Sequence, residues 1–220
     1  MLLDADFILR CAPMFLKAAR LTMALAFWGI VLSVALGLAC ALIRFWRVPL
    51  LSRLVGVYIE LARNTPLMIQ LFFLYYGLPR LGLLLEGETC AIVGMAFLGG
   101  SYMAEAFRGG LTAVSRCQIE AGLSIGLRRA QLLKYVILPQ ALAVALPALT
   151  ATGIFLIKET SVFSIVALPD LMYVAKDLLK EGHSTESNLM LVLSYLVIIL
   201  PVSLFFGWLE RRVRFAGFGD

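Results

Sequence analysis

The chain has 220 residues, 61% of them hydrophobic and only 15% charged, with a net charge of +5 and a mean hydropathy of +0.93. A soluble domain carries about 25% charged residues and at most about half apolar ones. A core of this size could not hide so much apolar surface from water, whereas a bilayer could, so most soluble enzymes and nucleic-acid-binding domains are excluded. The excess of Lys and Arg reads as the basic bias of cytoplasmic loops. Four scattered cysteines (Cys11, Cys40, Cys90, Cys117) and one histidine, His183, suggest neither a disulfide framework nor a metal site.

Three runs, 21–43, 135–157 and 187–209, carry no charge over about 23 residues each, and a spanning helix needs roughly 20. Two further apolar stretches hold charges inside them: 54–79 contains Glu60 and Arg63, and 89–113 contains Glu105 and Arg108. The expected architecture is an all-α integral membrane protein forming one domain over 1–220. Its five spans fall at about 18–44, 54–79, 89–113, 140–160 and 187–210, and a cytoplasmic segment occupies 114–139.

Lys and Arg in the short loops predict the orientation. Arg44, Arg47 and Arg53 after the first span, Arg108, Arg116, Arg128, Arg129 and Lys134 at and after the end of the third, and Arg211, Arg212 and Arg214 in the tail mark one side as cytoplasmic. The other side holds Arg80, Lys176 and Lys180 beside Glu86, Glu88, Asp170, Asp177, Glu181 and Glu186. The N-terminus is then outside and the C-terminus in the cytoplasm. Arg10, Lys17 and Arg20 oppose this and read as part of an interfacial amphipathic helix.

In the second span, Glu60 and Arg63 stand three residues apart, as Glu105 and Arg108 do in the third. On a helix each pair can meet, which lowers the cost of charge in hydrocarbon. The pairs read as a cytoplasmic gate, as an anchor for a docking helix, or as side chains snorkelling at helix ends. Thr65-Pro66 should kink the second span, because proline removes a backbone donor and drives the preceding residue from helical angles. Such a break is either a bare kink or a place where freed backbone groups and Gln70 meet a substrate.

In the 114–139 segment, small residues at Ala121, Gly122 and Gly126 lie about a turn apart, with Glu120 leading and Arg128 and Arg129 following. That suits either a short helix inserted in a partner's groove or an ordinary surface helix. Lys158-Glu159 interrupts an apolar stretch that continues to Pro169. A zwitterionic amino acid needs one cation and one anion, so the pair fits a binding site when deep and an anchor when at the outer surface. No GxxxxGK[ST] loop occurs, so the energy must come from a gradient or another chain.

The cytoplasmic segment resembles the signature of ABC importer permeases: Glu-Ala-Ala, three residues, Gly, nine residues, then Ile-x-Leu-Pro. Here it reads Glu120-Ala121-Gly122, Gly126 and Val136-Ile137-Leu138-Pro139, departing at Gly122 and Val136. The stretches Glu60–Phe73, Tyr102–Gly110 and Lys158–Ser161 resemble the polar amino-acid uptake branch. That branch often has Asn near position 98, where this chain has Leu98.

The resemblance implies a type I importer permease: a non-catalytic subunit working with a second, identical or sister permease chain, ATP-binding cassette ATPases and an external substrate-binding protein. It implies a bacterial inner-membrane location and no cofactor on this chain, ATP and Mg residing on the ATPase. The implied substrate path runs through Thr65, Leu67, Gln70, Gly99, Ser101, Tyr102, Lys158 and Glu159. The implied ATPase-docking residues are Glu120, Ala121, Gly122, Gly126, Arg128 and Arg129. Competing readings are a methionine-type permease and, from another class, a gradient-driven transporter or channel subunit, which would leave the 120–139 motif without a role.

Overall fold

The computed structural model describes residues 4–180 and 182–217. Glu181 and the Arg214 side chain, both counted for orientation, lie outside the described residues. The described residues contain helices and turns and no strand.

Helix α1 (Ala5–Phe45) is one 41-residue rod, so Arg10, Lys17 and Arg20 sit on its continuous N-terminal extension and not on a separate interfacial helix. Pro13 falls in the first turns, and the Asp4 side chain caps the start by accepting from Phe7 N at 3.0 Å. The extension buries Phe7, Cys11, Phe15 and Ala18 against α8 (Leu171–Leu179). Phe7 also stacks on His183 with ring centroids 3.9 Å apart.

The second apolar stretch is divided, as Thr65-Pro66 predicts. Helix α2 (Leu51–Arg63) stops before the proline, which adopts φ −59°, ψ 141°. Helix α3 (Leu67–Phe72) restarts beyond it and runs into a π turn, Phe73–Gly77, and a 3-10 turn, Leu78–Leu81. Four helical stretches among the described residues are long and apolar enough to cross a membrane: Asp6–Phe45, Gly87–Ala113, Arg129–Val166 and Ser184–Val213. The fifth expected stretch is this broken pair.

Helix α4 (Gly87–Ala113) is the centre of the fold, packing on α1 along its length and on α7 (Leu138–Glu159) behind. Close approach needs small residues where backbones meet. A Cβ at Gly99 would collide with the Ser33 hydroxyl, and one at Gly110 with the Ala141 carbonyl. Ser33 Oγ joins the helices further, lying 2.7 Å from Gly29 O and 3.2 Å from Met95 O.

Between α4 and α7 lie α5 (Arg116–Ser124), the single turn α6 (Arg129–Leu132) and a π turn, Leu133–Ile137. A 3-10 stretch, Thr160–Val166, leads from α7 to Asp170, which caps α8 by accepting from Tyr173 N at 2.9 Å. Its second carboxylate oxygen is buried without a partner. Burial pushes this carboxyl up to about 6, against the pull of the Tyr173 and Met172 amides and of Lys176. The last helix, α9 (Ser184–Gly217), leaves most of its apolar surface uncovered by this chain.

Candidate functional site

The break between α2 and α3 opens a cleft of about 350 Å³ whose walls include Arg63, Thr65, Leu67, Tyr102, Phe155 and Glu159. Pro66 makes it by ending α2. Tyr102 comes from the middle of α4, Phe155 and Glu159 from the end of α7. The Arg63 guanidinium lies 5.3 Å from the Tyr102 ring centroid, and Tyr102 meets Phe155 edge-on at 5.4 Å. Arg63 is exposed in this chain, and a cation over an aromatic face at an exposed site gains about 0.5–1 kcal/mol, a modest bias toward the cleft. Glu159 is half-buried, and its carboxylate has no hydrogen-bond or ion-pair partner among the described residues. One cation and one anion therefore line a hollow of mixed polar and apolar character.

Four of the eight residues expected on a substrate path share this cleft: Thr65, Leu67, Tyr102 and Glu159. The other four do not. Lys158 is exposed outside it, since neighbours on a helix point about 100° apart. Gln70 turns back into the break, its amide donating to Ala62 O at 3.1 Å and Thr65 O at 3.0 Å. Two carbonyls freed by Pro66 are thereby satisfied, while Gln70 Oε1 stays buried without a partner. Gly99 is closed off by Ser33 and Leu156, and Ser101 is fully buried, donating to Leu98 O at 2.6 Å.

The two expected ion pairs separate in the same way. Glu105 accepts from Arg108 Nη2 at 2.7 Å, and from Arg44 Nη1 of α1 at 2.9 Å. Glu60 and Arg63 do not pair. Tyr102 holds Arg63, and Asn64 Nδ2 occupies Glu60, reaching its carbonyl at 2.7 Å and its Oε2 at 3.3 Å.

The segment expected to dock also differs from a smooth small-residue face. Gly126 does not lie on the helix but terminates it, at φ +84° with its N–H on Leu123 O at 3.0 Å. Gly122 is buried, with Leu132 where a Cβ would go. The face left open carries Glu120, Ala121, Arg128 and Arg129, together with Leu123 and a 79% exposed Ile125. Leu123 and Ile125, absent from the sequence reading, were marked only by being apolar residues in an otherwise polar segment.

A bundle with four helical stretches of membrane-crossing length among the described residues, and a broken helix beside a charged cleft, defines a multi-pass membrane protein. Residues 29–215 match the family described as "Binding-protein-dependent transport system inner membrane component". This chain belongs to that family and has the type I ABC importer permease fold. It is 35% identical over 218 residues to a probable amino-acid ABC transporter permease, PatM, of Vibrio harveyi, covering 96% of each chain. It is 34% identical over 197 residues to a probable glutamine ABC transporter permease, GlnP, of Bacillus subtilis, covering 87% of this chain and 89% of that one. Among solved structures, an amino acid ABC transporter with histidines superposes with TM-score 0.87 at 30% identity, covering 96% of this chain and all of the other. The MetNI methionine transporter superposes with TM-score 0.79 at 21% identity, over 93% and 98%, a likeness of fold alone.

Proposed function

We propose that this chain is the membrane-spanning subunit of an ATP-driven amino-acid importer, and that the amino acid passes through the cleft between α2, α3, α4 and α7. The observation that carries the site is the pairing of Arg63 and Glu159 on one hollow. Arg63 meets the substrate carboxylate and Glu159 its ammonium, replacing the Lys158–Glu159 pair that the sequence alone suggested. Relatives above 30% identity named for amino acids and glutamine support this substrate class, whereas the methionine-type alternative has a likeness of fold only.

The chain itself is non-catalytic. ATP and Mg bind on partner ATPases that dock on Glu120, Ala121, Leu123, Ile125, Arg128 and Arg129, and an external binding protein delivers the amino acid. A second permease chain, the same or a sister, completes the path. The N-terminus is outside and the C-terminus cytoplasmic, on the loop charges. Binding of ATP by the partner switches the permease between inward and outward openings.

The test is uptake into proteoliposomes containing the assembled importer. Arg63→Gln and Glu159→Gln should each lower uptake at least tenfold for every transported amino acid, and Lys158→Met should leave it within about twofold. Loss in Lys158→Met with normal rates in the other two would return the site to the sequence-based pair. Uptake driven by a gradient without ATP would refute the importer reading itself.

A further inference from the structure

A second hollow, of about 550 Å³, lies at the end of the bundle that carries α5. Four arginines line it, each from a different part of the chain: Arg44 ends α1, Arg47 sits in the α1–α2 turn, Arg108 is near the end of α4 and Arg116 starts α5. The hydroxyl residues Ser52 and Thr112 join them. One carboxylate, Glu105, is bound by Arg44 and Arg108. The Arg47 and Arg116 side chains have no hydrogen-bond, ion-pair or ring partner among the described residues. Converging like charges repel, and four guanidiniums against one carboxylate leave a concave surface with three uncompensated positive charges.

The turn is built to hold Arg47 there. Arg47 and Leu50 both adopt left-handed backbone, at φ 51° and φ 60°. Such positions cost about 1–3 kcal/mol for a residue other than glycine and persist where the surroundings impose them. The same turn exposes Trp46, Val48, Leu50, Leu51 and Leu54. Apolar residues and an indole beside basic groups mark the level where acyl chains meet headgroups.

We propose that this hollow binds the phosphate of an anionic phospholipid headgroup. Guanidiniums hold phosphate oxygens in pairs, and basic pockets between helices at the membrane surface take such headgroups. A free phosphate would satisfy the arginines but leave the apolar rim of the turn unused, which favours a lipid. The bound lipid would neutralise the α1–α4–α5 junction, where the docking segment leaves the membrane.

The test is native mass spectrometry of the assembled importer, delipidated and then given mixtures of phosphatidylglycerol and phosphatidylcholine. The wild type should retain phosphatidylglycerol preferentially. Arg47→Gln combined with Arg116→Gln should weaken that binding by about thirtyfold, from roughly one unit of membrane attraction per basic residue, and the paired Lys substitutions should restore most of it. Absence of preference in the wild type, or unchanged retention in the Gln pair, would overturn the proposal. Displacement by millimolar inorganic phosphate would overturn it in favour of a free anion. Loss of the ATPase subunit with lipid retention intact would assign the hollow to that protein instead. If the Gln pair does not purify as a monodisperse complex, the wild-type lipid and phosphate competitions decide alone.

Discussion

Gln70 supports the broken helix from inside, and replacing it should show how much. Gln70→Leu keeps the approximate volume and removes both donors, leaving Ala62 O and Thr65 O without their partner. Two hydrogen bonds contribute about 2 kcal/mol net, and stranding their acceptors adds about 1–2 kcal/mol, while losing the unpartnered Oε1 returns a similar 1–2 kcal/mol. The net loss is about 2 kcal/mol, which for 150–250 residues corresponds to a fall in Tm of about 4–8 °C. Gln70→Glu should cost more, because a carboxylate turns negative oxygens toward both carbonyls. Thermal unfolding of the purified importer, followed by the emission of Trp28, Trp46 and Trp208, reads the order wild type, Leu, Glu. A Gln70→Leu protein with unchanged Tm and abolished uptake would refute the reasoning and return Gln70 to the substrate path.

Ile125→Glu should uncouple uptake from ATP hydrolysis and weaken retention of the ATPase subunit at least tenfold, leaving the permease in the membrane; co-purification measures it. Asp170→Asn preserves the cap on α8 and removes a carboxyl whose folded-state value, about 6, exceeds its ordinary 3.8. A raised acid binds its proton more tightly in the folded state, so its charge costs stability as pH rises from about 4 to 6. The Tm advantage of Asp170→Asn over wild type should therefore be small at pH 4 and grow by several degrees by pH 7, which differential scanning fluorimetry across that range checks.

How far the sequence could be read depends on how local each interaction is. The three uncharged runs fall in α1, α7 and α9, because an uncharged run of spanning length satisfies its own backbone in a bilayer as a helix. The break at Thr65-Pro66 was legible for the same reason, since proline acts on its own backbone. The identical spacings Glu60–Arg63 and Glu105–Arg108 gave different outcomes because distant residues compete: Tyr102 takes Arg63, while Arg44 reinforces Glu105. The one local difference is Asn64, four residues after Glu60, where α4 has Gly109. Lys158 and Glu159 could have been separated beforehand, as adjacent helical residues cannot both face one narrow cleft. Gly126 shows the reverse, its value as a helix stop outweighing its smallness, and the fold-back of Gln70 depended on a break whose exact carbonyl geometry no spacing encodes.

Helix α1 has mechanical consequences beyond its packing. At 1.5 Å per residue, its 41 residues make a rod about 60 Å long, twice the hydrocarbon thickness. One end is pinned by the Arg44–Glu105 contact and the other is embedded against α8 by Phe7, Cys11 and Phe15. A tilt of about 5° at the Arg44 end swings the Phe7 end by about 5 Å, the rise of one helical turn. The chain therefore contains one continuous rod that joins the end of the bundle carrying α5 to the end carrying α8, and shortening it at Pro13 would cut its reach before disturbing any residue of the cleft.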